Sequence, residues 1–158
     1  MSDQELIDFV YLEARLLDLQ HWDEWLALFA VQSHYWVPLL GSRQSDPQGY
    51  NSLAYEDRLL LSLRIERLKG GRAHSQRPPS RGQHVLQQPF IEHRDDSAQR
   101  YRLSTPFMYL EARNDQQLVL AGVCRHTLEH VDGVLRIRLK RVDLLNAEAA
   151  FPAIQLFP

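Results

Sequence analysis

This chain is short of several things, and each shortage excludes a class of protein. It has one cysteine, Cys124, in 158 residues. No internal disulfide can form, and a reducing cytoplasm is the compartment that fits. Cys124-Arg125-His126 looks like one half of a two-cysteine, two-histidine iron–sulfur site, but the other half has no second cysteine to draw on. His126 and His130 are four apart, which suits metal binding on a helix, yet their segment alternates like a strand, so no metal is assigned to this chain. No apolar run approaches a membrane span, and Met1-Ser2-Asp3-Gln4-Glu5 lacks the basic start of a signal peptide. The net charge of −2 gives no general attraction to nucleic acid or to an anionic membrane. Glycine-rich phosphate loops, nucleophile elbows and dinucleotide fingerprints are missing too.

What is present reads as one domain over residues 1–158, with 44% apolar and 24% charged residues, ordinary values for a folded globular chain. Ser2 and Glu5 have capping-box spacing, so a helix should begin there. Leu6, Val10, Ala14 and Leu17 form its apolar face, widened by Phe9 and Leu16, and Asp18-Leu19 close it. A second short helix is expected over His21–Phe29, with Trp22, Trp25, Leu26 and Phe29 in the core. His34–Pro38 is rich in strand formers. Gly41–Asn51 is turn-rich and reads as a loop. Tyr55-Glu56-Asp57-Arg58 is expected to open a third helix, with Leu59, Leu60, Leu63 and Leu68 on its buried side and Gly70-Gly71 ending it.

From Gly82 onward the pattern becomes antiparallel sheet. His84–His93 reads as one strand, and Asp95-Asp96-Ser97 as a turn. Tyr101, Leu103, Thr105, Phe107 and Tyr109 alternate with Arg102, Ser104 and Met108. Asn114-Asp115 and Asp132-Gly133 are turn signals, the second a strong two-residue hairpin. The last strand places Leu135, Ile137 and Leu139 on one face and Arg136, Arg138 and Lys140 on the other. Helices first and meandering strands later give an α+β class: N-terminal helices packed on one strongly curved antiparallel sheet.

The ordered motifs Leu16-Leu17-Asp18, Trp22-Asp23-Glu24-Trp25-Leu26, Leu28-Phe29-Ala30 and Tyr35-Trp36-Val37-Pro38 carry a resemblance. So do Tyr55-Glu56-Asp57-Arg58, Arg64-Ile65-Glu66-Arg67-Leu68 and the loop Arg77-Pro78-Pro79-Ser80-Arg81 with His84. Together they resemble the small (beta) subunit of the Rieske-type aromatic-ring-hydroxylating dioxygenases. The resemblance implies a cystatin-like cone, the fold shared with nuclear transport factor 2 and ketosteroid isomerase. It implies a non-catalytic subunit beside a large (alpha) subunit that holds a Rieske 2Fe–2S cluster and a mononuclear iron. It also implies a small-subunit trimer in a three-plus-three hetero-hexamer. The whole enzyme would convert an arene or aromatic carboxylate to a cis-dihydrodiol with dioxygen and NADH-derived electrons. Gln87-Gln88 and Gly122-Val123-Cys124-Arg125-His126 depart from the usual family pattern, which leaves the substrate unassigned.

Glu56, Asp57, Arg58, Arg81 and His84 are the residues expected in, or supporting, subunit contacts. Arg81 has the fork that suits a neighbouring carboxylate. The rival reading is a free-standing cone-fold isomerase or dehydratase working through a cavity aspartate or histidine, with Asp18, His34, Tyr35, His84 and Tyr109 as candidates. A third is a pure association module without an enzyme partner.

Overall fold

The computed structural model describes residues 1–70, 79–149, 154 and 156–158. Helix α1 (Asp3–Asp18) starts on the expected capping box: Glu5 N–H donates to Ser2 Oγ at 3.2 Å and Ser2 N–H to Glu5 Oε2 at 2.6 Å. Its buried face is Leu6, Val10, Ala14, Leu16 and Leu17, with Glu13 unexpectedly among them. Helix α2 (Trp22–Ala27) is shorter than the sequence pattern suggests, because Phe29 already belongs to strand β1 (Phe29–Pro38). Trp22 and Trp25 are core residues, as expected. Burying Trp25 completely removes roughly 200 Å² from water, on the order of 5 kcal/mol of hydrophobic stabilisation.

A 3-10 turn (Gly41–Arg43) and a loop lead to strand β2 (Ser52–Asp57) and helix α3 (Arg58–Lys69). Two expectations fail here. Tyr55, Glu56 and Asp57 do not open the helix; they pair with β1, Trp36 opposite Tyr55, and Asp57 caps α3 by accepting the Leu60 N–H at 2.8 Å. The buried side of α3 is Leu61 and Ile65, while Leu59, Leu60 and Leu63 face outward. Leu61 and Ile65 are one helical turn apart and lie on the side packed against β1.

The expected strand over residues 84–93 is two strands, β3 (Arg81–Leu86) and β4 (Phe90–Asp95). Pro89 between them has no N–H for a ladder. Both pair with β5 (Arg100–Arg113), which continues through β6 (Gln116–Val131) and β7 (Val134–Leu144) as a meander. The β6–β7 hairpin turns on Asp132 and Gly133, both at positive φ (51° and 77°), as an Asp-Gly pair should. The seven-stranded sheet runs β2-β1-β7-β6-β5-β3 with β4 beside β5. It is antiparallel except for β1 against β7, which is parallel, so the sheet is mixed.

One irregularity decides what lies inside. Leu128 pairs with Ile137 but Thr127 pairs with Leu139, leaving Arg138 as a bulge in β7. The extra residue reverses the inward–outward phase. Ile137, Lys140, Val142 and Leu144 face the core, and Leu139 is only half-buried. The expected stripe of Arg136, Arg138 and Lys140 on one solvated face is therefore wrong for Lys140, which is 2% exposed.

Candidate functional site

The inside of the curled sheet carries an unusual number of titratable groups for a core. Glu13, reaching in from α1, is their centre. Lys140 Nζ donates to its Oε1 at 2.8 Å and Trp25 Nε1 to the same oxygen at 2.5 Å. His126 Nε2 lies 3.6 Å from Oε2, and Cys124 Sγ is 3.8 Å from the imidazole Nδ1. Burial pushes the Glu13 carboxyl up, but the Lys140 charge and His126 overcome it and hold the group well below the usual carboxylate range. Burial alone would lower His126; the Cys124 sulfur and Glu13 lift it instead, to about 9. Tyr35 and Tyr109 are both pushed up, chiefly by burial.

A second set joins α1 to β3. Asp18 Oδ1 accepts the His84 main-chain N–H at 3.0 Å and sits 2.6 Å from its Nδ1, while Gln83 Nε2 donates to Asp18 Oδ2 at 2.7 Å. An ionised carboxylate can only accept, so the proton belongs on Nδ1. The His84 ring lies 4.8 Å from that of Tyr109, and its Nε2 is buried with no partner among the described residues. Tyr109 packs so close to β3 that a side chain at Gly82 would meet its hydroxyl at 2.7 Å.

The sequence-derived residues sort by depth. Arg81 is exposed on edge strand β3. His84 points inward, its side chain 5% exposed, so it braces β3 rather than projecting from it. Glu56 pairs with Arg64 at 3.1 Å, Asp57 caps α3, and Arg58 is half-buried. Arg77 and Pro78 lie outside the described residues. Of the rival's candidates, Asp18 and His84 meet and Tyr109 lies against them, and Tyr35 is also inside. His34 is not: it stacks on Tyr55, 4.7 Å between rings.

Sequence reasoning missed Glu13 and Lys140. A signal existed for both. Glu13 falls three residues after Val10 on the apolar face of α1, and the apolar alternation of β7 changes phase between Ile137 and Val142. On the outer face of the sheet, Arg125 bridges Glu92 and Asp143, and Arg141 bonds Asp143 at 2.7 Å. Beside them Val85 lies opposite Met108, and Leu110 opposite Val119, all four exposed. Among the described residues, no group of three or more His, Cys, Asp or Glu could hold a metal ion, and no helix is long and apolar enough to cross a membrane.

Three helices against the inside of a curled, mixed, open sheet define an α+β cone. Solved structures share it: the beta subunit of a benzoate 1,2-dioxygenase from Burkholderia mallei has a TM-score of 0.78 at 24% identity, over 99% of this chain and 98% of that one. Residues 12–149 match the family described as "Ring hydroxylating beta subunit", and the chain belongs to that family. The p-cumate 2,3-dioxygenase small oxygenase component of Pseudomonas putida is 31% identical, covering 96% of this chain and 83% of its own length. The benzoate 1,2-dioxygenase beta subunit of Acinetobacter baylyi is 29% identical, covering 92% and 88%. The chain is thus a small subunit of ring-hydroxylating dioxygenases, which are oxidoreductases. The free-standing isomerase or dehydratase is not favoured.

Proposed function

We propose that this subunit builds and holds the oligomer of a ring-hydroxylating dioxygenase without taking part in its chemistry. Its partner is a large subunit carrying a Rieske cluster and a mononuclear iron. The donor set here does not fit such a cluster, because a Rieske site needs two cysteines and this sequence has one. The complete cytoplasmic enzyme would join three small and three large subunits. It would add both atoms of dioxygen to an arene or aromatic carboxylate, giving a cis-dihydrodiol, with electrons from NADH. One observation carries the non-catalytic reading: the acid–base groups inside the cone are sealed, Glu13, His126 and Lys140 being 1–2% exposed. Arg81 is the exposed contact on β3, which Asp18 and His84 brace, and Glu56, Asp57 and Arg58 support contacts at the β2–α3 end of the sheet.

The test is the light-scattering mass of the chain expressed with a Rieske large subunit from the same operon. A brown, iron-containing species near the mass of three plus three is expected, and a colourless species that ignores the large subunit overturns the reading. Arg81→Ala should weaken that assembly without unfolding the subunit. Wild-type assembly of the variant at moderate salt removes Arg81 from the interface.

A further inference from the structure

One short segment inside the cone, Leu156–Pro158, is held in an unusual way. Leu156, Phe157 and Pro158 are buried, Phe157 to 1% exposure, yet they join neither the sheet nor a helix. Buried main chain ordinarily finds its partners in a neighbouring strand or helix. Here side chains supply them. Arg64 donates to the Leu156 carbonyl at 2.7 Å, the Leu156 N–H donates to Glu111 Oε2 at 3.2 Å, and Tyr35 donates to the Pro158 main-chain oxygen at 3.1 Å. The Phe157 ring sits in an aromatic cage, with centroids 4.5 Å from Trp25, 5.6 Å from Tyr35 and 5.9 Å from Trp22. The Arg64 guanidinium covers it at 4.1 Å.

Those anchors come from four separate elements, α2, α3, β1 and β5. Three of them are themselves fixed from behind: Arg64 by Glu56, Glu111 by the Tyr109 hydroxyl at 3.0 Å, and Trp25 by Glu13. An apolar, aromatic-lined chamber with a few convergent polar groups, pre-oriented by a second layer of bonds, is how a protein holds a ligand. A donor pair for carbonyls, an acceptor for an amide and a ring cage between them match an aromatic residue within a peptide.

We propose that the cone interior is a recognition site for a phenylalanyl peptide, occupied in this structure by the chain's own Leu156–Pro158. The inference stands independently of the dioxygenase reading. It treats this segment as a bound ligand supplied in cis, with the ring giving the fit and Arg64, Tyr35 and Glu111 reading the backbone. Phe157→Ala in the full chain removes the ring that holds the segment in place, so that an added peptide can displace it from Arg64, Tyr35 and Glu111. N-acetyl-Leu-Phe-Pro-amide, added in trans, should then raise the melting temperature of the variant saturably, by about 5 °C, and leave the wild type unmoved. Adding Arg64→Met to that variant should weaken peptide binding at least tenfold without changing the response to benzene.

A peptide that does nothing, or an effect that benzene alone reproduces, makes Phe157 a simple core residue and overturns the proposal. Should the alanine variant not fold, Phe157→Leu takes its place. Hydrogen exchange on the wild type gives a further reading. The Leu156 amide should exchange by local release, at least a hundredfold faster than the Leu103 and Leu128 amides. Exchange at the same rate as those core amides overturns it equally.

Discussion

Glu13–Lys140 inside the cone and Asp143–Arg125 on its outer face are both carboxylate–cation pairs across sheet or helix, at 2.8 and 3.1 Å. Their depth separates them. The inner pair is sealed among Trp25, Tyr35 and His126, whereas Arg125 is 39% exposed at its side chain and shares two acids. Desolvation makes the inner partners depend on each other, while Arg125 is open to water and the buried Asp143 keeps Arg141 as a second cation when Arg125 is lost. The cone is stiff where its charges are hidden and adjustable where they show.

That contrast can be broken most sharply at Glu13. Glu13→Gln strands a buried lysine and should cost about 3–5 kcal/mol in urea unfolding. The double variant Glu13→Leu, Lys140→Met should recover most of that loss. If it is no better than the single variant, desolvation is not what binds the pair together.

The pH dependence comes next. His126 is raised from 6.5 to about 9, so its contribution is complete below pH 6.5 and fades as pH climbs through 9. The full shift corresponds to on the order of 3 kcal/mol. Stability should fall across that window in the wild type, and His126→Gln should flatten the slope. Glu13, held low, works in the opposite direction: its share is present above pH 4.5 and is lost as acid protonates it in the fold.

Asp18→Asn should be milder, about 1–3 kcal/mol, because the amide still offers an oxygen to the buried His84 N–H. Calorimetry that finds no change would remove the brace between α1 and β3. Arg125→Ala should cost under about 1 kcal/mol, and less at high salt. A loss as large as that of Glu13→Gln would erase the distinction between inside and outside.

Local patterns in the sequence carried most of this architecture. The capping box, the Trp22 and Trp25 burial, the alternation of Tyr101 to Tyr109 and the Asp132-Gly133 hairpin all follow from neighbours within a few residues. The failures came where a distant strand decides. Tyr55–Asp57 is strand because β1 lies alongside, and Lys140 is buried because a bulge shifts its phase toward a carboxylate on α1. Asp18 and His84 were both named from sequence, but only the fold shows that they touch.

The single parallel seam between β1 and β7 has a temporal meaning. β5, β6 and β7 can zip through short turns, but β1 and its helices must wait for β7 before the cone can close. Glu13 and Lys140, which meet across that closure, are 127 residues apart in sequence. Such long-range closure is slow. In pulse-labelled exchange during refolding, the β5–β6 amides should become protected well before those of β1. Until β7 arrives, β1 is an unguarded edge, and a nascent copy is then most open to pairing with the wrong strand.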